Sequence, residues 1–125
     1  MLKPLVLGFA LTVGVAGAAS AQDAAAGEKV FAKCKACHVI DAATNRVGPS
    51  LHGIIGRTAG TVEGFKYSEA MIQHGKDGLV WNNENLDKYL ADPKAFVPKN
   101  KMAFPGLKNA EDRANVIAYI DEASK

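Results

Sequence analysis

Apolar residues recur at helical spacing in four short stretches of this chain, separated by long segments with no period. Asp23 heads the first stretch. Its carboxylate can accept the orphan N–H groups of a helix running through Ala24, Ala25 and Ala26 to about Lys35. Along it, Gly27, Val30, Phe31 and Cys34 fall near one face. Ser68 is placed to cap a second helix over Glu69, Ala70, Met71 and Ile72, which Gly75 would end. Asn82 or Asn83 opens a third, with Leu86, Tyr89 and Leu90 as its apolar stripe, and Pro93 stops it. Asn109 caps the last, in which Val116, Ile117 and Ile120 share a face and Tyr119 lies on the flank. No run alternates at period two, so the expected class is all-α with no sheet.

The segments between these helices are long. Val39–Gly64 is rich in Gly, Thr, Asn and Pro, and Pro93–Leu107 holds three prolines. Loops of that length are uncommon in a compact domain unless they serve a purpose. Four short helices also make a thin core. A large apolar cofactor at the centre would supply what is missing.

The first 21 residues follow a different pattern. They carry one charge, Lys3, then an apolar run from Leu5 to Ala16, and they close on Ala19-Ser20-Ala21. A basic start, a short apolar centre and a small-residue exit are the build of a secretory signal peptide. The run is short for a bilayer span, which needs about 20 apolar residues, so an uncleaved anchor is the weaker reading. The expected organisation is a signal peptide over 1–21, cleaved after Ala21, and one domain over 22–125, exported most simply to a bacterial periplasm.

Composition narrows the function. The chain has 125 residues, 48% of them hydrophobic and 22% charged, which argues against wholesale disorder. Its formal net charge of +2 is too small to imply a nucleic-acid partner. Two cysteines cannot build a disulfide scaffold.

Those two cysteines stand in Cys34-Lys35-Ala36-Cys37-His38, and C-x-x-C-H is the attachment signature of c-type haem. Two thiols three positions apart can each add to one haem vinyl group, and the adjacent imidazole can reach the iron. A thioredoxin-like redox pair would need a βαβ setting, which this chain lacks. A zinc site would need four ligands, and only Cys34, Cys37 and His38 cluster. Candidates for the sixth ligand are Met71, Met102, His52 and His74. Met71 lies on an expected helix, where methionine usually fills core. Met102 sits in a Pro-bounded loop that could lie over a flat ring and present a soft thioether, which raises the potential. His74 reads as a solvated turn residue, and His52 as a side chain bonded to a loop carbonyl.

The ordered landmarks of the chain resemble the class I cytochromes c of the mitochondrial and compact bacterial cytochrome c2 type. They are Gly27 and Phe31, Cys34-Lys35-Ala36-Cys37-His38, Gly48-Pro49-Ser50-Leu51-His52-Gly53, Gly56-Arg57, Tyr67, Trp81, Tyr89-Leu90, Pro93-Lys94, Lys101-Met102-Ala103-Phe104 and Tyr119. The resemblance implies short helices and irregular loops wrapped around one covalent haem c held at Cys34 and Cys37. It implies His38 as proximal ligand, with its other N–H donated to the Pro49 carbonyl, and Met102 as distal ligand. By the same resemblance Tyr67 and Trp81 hydrogen-bond a buried propionate, Arg57 offsets its charge, Tyr89 approaches the methionine sulfur, and Phe104 lines the site. Gly27 and Phe31 let the first and last helices cross against Val116, Tyr119 and Ile120. Two positions depart from the family pattern. Met71 stands where a polar residue, often Asn, is common, and Asn100 stands where threonine bonds a propionate.

With both axial positions filled, no site remains for substrate. The implied role is then one-electron transfer by a monomer that is not an enzyme. Implied partners are a bc1-type quinol–cytochrome c reductase and a terminal oxidase or photosynthetic reaction centre. Charge placement suits transient docking. Lys29, Lys33 and Lys35 fall in a stretch without acids, as do Lys94, Lys99, Lys101 and Lys108, while the rest of residues 22–125 sums to −6. Lys33, Lys35, Lys94, Lys99 and Lys101 are the expected docking residues. The alternatives are a haem protein with an open sixth site, acting as sensor or enzyme, and a dedicated donor to a single enzyme.

Overall fold

Among the described residues five helices form, each started by a side chain that accepts N–H groups a helix leaves unpaired at its N-terminus. The computed structural model describes residues 22–125, with Pro4 and Gly8 as isolated positions; the expected signal peptide otherwise lies outside the described residues. Helix α1 is Ala24–Phe31, capped by Asp23, whose carboxylate accepts from the N–H groups of Ala25 and Ala26. Helix α2, Glu69–Lys76, is capped by Ser68, and α3, Asn83–Ala91, by Asn82. Asp92 caps α4, Pro93–Phe96, and Asn109 caps α5, Ala110–Ala123, with Glu111 and Asp112 in its first turn. Among the described residues there is no strand, only an isolated bridge between Thr58 and Val80. The described fold is all-α, as expected.

Three helix boundaries differ from the sequence expectation. The first helix ends at Phe31, not near Lys35. Past it, the N–H groups of Ala32, Lys33, Cys34 and Cys37 donate to carbonyls three residues back, mixed with four-back bonds from Lys35 and His38, so the cysteine segment is a run of tight turns. Gly75 does not end α2. It lies inside the helix, where any Cβ would overlap the Ala59 carbonyl, and Gly78 at φ +101 makes the exit. Pro93 ends α3 but also begins α4, because a missing N–H costs nothing at the first helical position.

The core sits where α1 crosses α5, with α3 packed on α5 and α4 on α3. Phe31, Val116, Ile117 and Ile120 are buried at the crossing, and the rings of Phe31 and Tyr119 lie 5.2 Å apart. Gly27 makes the close approach possible, because a Cβ there would overlap the backbone carbonyl of Asn115. The Asn115 side chain, itself buried, accepts from the Asp23 N–H at 3.0 Å and ties the start of α1 to α5. Arg113, near the N-terminus of α5, braces it against α3 and the preceding loop, donating to Asp87 at 2.7 Å and to the Leu107 carbonyl at 2.8 Å. No described helix is long and apolar enough to cross a membrane.

Candidate functional site

A cavity of about 280 Å³ opens between these elements, and the loops close around it rather than filling it. Cys34, Cys37 and His38 reach it from the turns after α1. Tyr89 reaches it from α3, and Met102 and Phe104 from the loop after α4. Most of the remaining wall is apolar, with Phe31, Leu51, Ile54, Leu86 and Leu90 among the lining side chains. Both cysteines are free thiols, half-buried, and burial beside Cys37 pushes the Cys34 thiol above its ordinary range.

The tautomer of His38 follows from its partner. Nδ1 lies 2.7 Å from the Pro49 carbonyl, which can only accept, so Nδ1 carries the proton. Nε2 is then left with its lone pair. Burial lowers the His38 pKa, opposed by the Pro49 bond, so the imidazole is neutral, the form that binds a metal. Gly48 leaves room for the ring, since any Cβ at that position would overlap the imidazole. The Pro49–Ser50 peptide is itself held from behind. The Ser50 N–H donates to Asn45 Oδ1 at 2.9 Å, and Asn45 Nδ2 donates to the Glu63 carbonyl at 3.0 Å.

Met102 presents its sulfur 3.9 Å from the Tyr89 hydroxyl, which donates to it. Tyr89 is 8% exposed, and burial pushes its pKa up to about 12, so the phenol keeps its proton throughout the neutral range. Trp81 packs on it with ring centres 4.9 Å apart and lines the cavity alongside Tyr67 and Arg57. The Tyr67 oxygen accepts from the Val62 N–H at 3.1 Å, which leaves its own hydrogen free to be given to a group in the cavity. Arg57 donates to the carbonyls of Ser50, at 2.8 Å, and His52, so it contributes a half-buried positive charge with two hydrogens already committed. Burial holds its pKa below the ordinary arginine value, while Tyr67 acts in the opposite sense.

Other expected residues fall elsewhere. The His52 side chain is exposed, and it is the His52 backbone that enters a hydrogen bond, as acceptor from Arg57. His74 is no turn residue; it sits in the last turn of α2 with Nδ1 2.8 Å from the Ala70 carbonyl. Neither histidine lines the cavity, whereas Met71 does, so two thioethers share it. Asn100 also lines the cavity but does not offer its amide to it. Both Nδ2 hydrogens go to backbone carbonyls, of Pro93 at 2.9 Å and Val97 at 2.8 Å. Of the docking lysines, Lys33 and Lys101 border the cavity, and Lys99 and Lys101 border an adjoining groove with Lys66. Lys35 is exposed away from the cavity lining, and Lys94 is tied to the Asn100 carbonyl at 2.5 Å.

The donor set suits a covalently held haem: two thiols, an imidazole with one free nitrogen and a thioether on one mostly apolar cavity, with a glycine where the ring needs space. Sequence reasoning missed Asn45 as a support and quoted Gly48 only as a landmark without its role, since each acts across a loop closure.

Comparison with known proteins agrees with this chemistry. The family model described as cytochrome c matches residues 24–124. Cytochrome c2 iso-2 of Magnetospirillum fulvum is 57% identical over 90 residues, covering 72% of this chain and 91% of that protein. Cytochrome c2 of Blastochloris viridis is 46% identical over 123 residues, 97% of this chain and 94% of the relative. Among solved structures, cytochrome c2 from Rhodospirillum centenum superposes with a TM-score of 0.76 at 42% identity, covering 82% of this chain and 99% of the other.

Proposed function

This chain belongs to the cytochrome c family, and on that premise we propose that it shuttles single electrons between membrane redox complexes through a haem held by His38 and Met102. The family cofactor is one covalently attached haem c, and its members carry electrons and are not enzymes. When bound, the haem iron supplies a one-electron couple at a potential that its axial ligands set within a range of about 0.8 V. The chain's own residues determine the rest. Cys34 and Cys37 are the points of attachment. His38 would bind through Nε2 while its Nδ1–H is donated to the Pro49 carbonyl, which fixes orientation and raises ligand basicity. Met102 binds through sulfur and keeps the Tyr89 hydroxyl as its partner. Tyr67 and Trp81 would hydrogen-bond a cofactor carboxylate, Arg57 would offset its charge, and Phe104 and Pro49 would complete the lining.

What carries the reading is that a neutral imidazole with a free nitrogen and a braced thioether share one cavity with both thiols. Two protein ligands leave no position for substrate. Outer-sphere transfer is what remains, and a rigid site suits it because little must rearrange when the charge changes.

The protein acts in the periplasm as a monomer of residues 22–125, exported by residues 1–21 and cleaved after Ala21. Its donor is a quinol–cytochrome c reductase and its acceptor a terminal oxidase or photosynthetic reaction centre. Lys33 and Lys101 at the rim, with Lys35, Lys94 and Lys99 around them, steer acidic partners to the cavity edge. Stopped-flow reduction by an isolated reductase should slow steeply as salt rises. Lys33→Glu combined with Lys101→Glu should slow it further and flatten the salt dependence. A rate indifferent to both salt and these substitutions contradicts the proposal.

A further inference from the structure

Asn100 is buried, 4% exposed, two residues ahead of Met102, and every polar atom of its side chain is used. Nδ2 donates to the carbonyl of Pro93, the first residue of α4, and to that of Val97, its C-cap. Oδ1 accepts the Met102 N–H at 2.8 Å. One amide therefore ties both ends of α4 to the backbone of the thioether-bearing residue. The chain between them is constrained as well. Val97 is wholly buried, Lys94 holds the Asn100 carbonyl, and Lys99 is the one described non-glycine residue with positive φ, at 67°. A lysine in that left-handed conformation is strained and persists only where its surroundings over-determine it.

We propose that Asn100 is a positioning residue for Met102: its amide latches the segment from Val97 to Met102 to α4 and so holds the sulfur in the cavity. The side chain works on its own backbone and not on the cofactor. This inference rests on the reading that Met102 binds the iron. An added ligand can take the iron only while Met102 is away, so its apparent affinity scales with the fraction of molecules in which the loop is open. Removing the amide strands the Met102 N–H and leaves the Pro93 and Val97 carbonyls with one donor each, from Val97 and Asn100 N–H, and that loss raises the open fraction.

The test is a titration of the ferric holoprotein with imidazole. Asn100→Ala should bind imidazole about 10- to 100-fold more tightly than the unaltered protein, the equivalent of one or two lost hydrogen bonds. Asn100→Ser, whose hydroxyl can still accept from the Met102 N–H, should fall between them, and it serves if the alanine variant does not fold. Asn115→Ala is the control. It weakens the contact between α1 and α5, so it should lower the urea midpoint without changing imidazole affinity. Affinity within twofold of the unaltered protein in both Asn100 variants overturns the inference. So does an equal gain in Asn115→Ala, which marks general loosening. The far-red ferric absorption band of thioether–iron ligation separates the two levels. If the unaltered protein lacks it, the Met102 reading falls and this inference falls with it; if the band is present, the titration judges Asn100 alone.

Discussion

Replacing Gly27 by alanine sets two physical effects against each other. On an exposed helix, Gly→Ala stabilises by about 1 kcal/mol, because alanine loses less backbone freedom on folding. At Gly27 the new methyl would overlap the Asn115 carbonyl oxygen and stand 3.0 Å from Tyr119 Cβ. Neither backbone can yield alone, so α1 must lift from α5. Overpacking of this kind costs about 1–3 kcal/mol. The displacement also stretches the bond from Asp23 to Asn115, worth about 1 kcal/mol. It separates the ring pair of Phe31 and Tyr119 as well, a further loss of about 0.5–1.5 kcal/mol. The balance is a destabilisation of about 2–4 kcal/mol, the packing losses outweighing the propensity gain. Urea unfolding of the holoprotein, followed by far-UV circular dichroism, measures it directly. An unchanged or higher midpoint at constant slope refutes the packing argument, since propensity would then be the larger effect.

Other positions give equally definite expectations. Gly48→Ala forces the His38 ring off its 2.7 Å bond to Pro49; a less basic imidazole then stabilises the oxidised iron less, so the midpoint potential rises in a spectroelectrochemical titration. Lys99→Gly removes left-handed strain of about 1–2 kcal/mol and adds about 0.5–1 kcal/mol of unfolded-state entropy. A small gain in urea midpoint follows, and Lys99→Ala, which keeps the strain, should show none. Arg113→Ala loses bonds to Asp87 and to two backbone carbonyls and should cost about 1–3 kcal/mol. Lys88→Ala breaks only an exposed pair with Glu84 and should cost under about 0.5 kcal/mol in the same urea assay.

Local chemistry was the readable part of this sequence. Asp23, Ser68, Asn82 and Asn109 all cap the helices assigned to them, because a cap bonds N–H groups two or three residues away and needs nothing from the rest of the chain. The attachment motif is legible for the same reason, as its covalent chemistry dictates the spacing. Tertiary contacts were not readable. Gly75 looked like a helix stop, and only the Ala59 carbonyl lying against it reveals a close approach. The mixed three- and four-back pairing after Phe31, which brings Cys34, Cys37 and His38 to one cavity, has no signature in the local sequence. Asn100 sits in a stretch without periodicity, so its grip on Pro93, Val97 and Met102 appears only once the loop is closed.

On the proposed function Met102, and not the second cavity thioether Met71, is the ligand that shares the iron with His38. Proton–carbon correlation spectra of the reduced holoprotein, labelled at methionine methyls, test it most directly. A ligand methyl lies over the ring and is displaced far upfield by its current. One such methyl is expected, lost in Met102→Ala and kept in Met71→Ala. A shifted methyl that disappears with Met71 instead, or none in the unaltered protein, contradicts it.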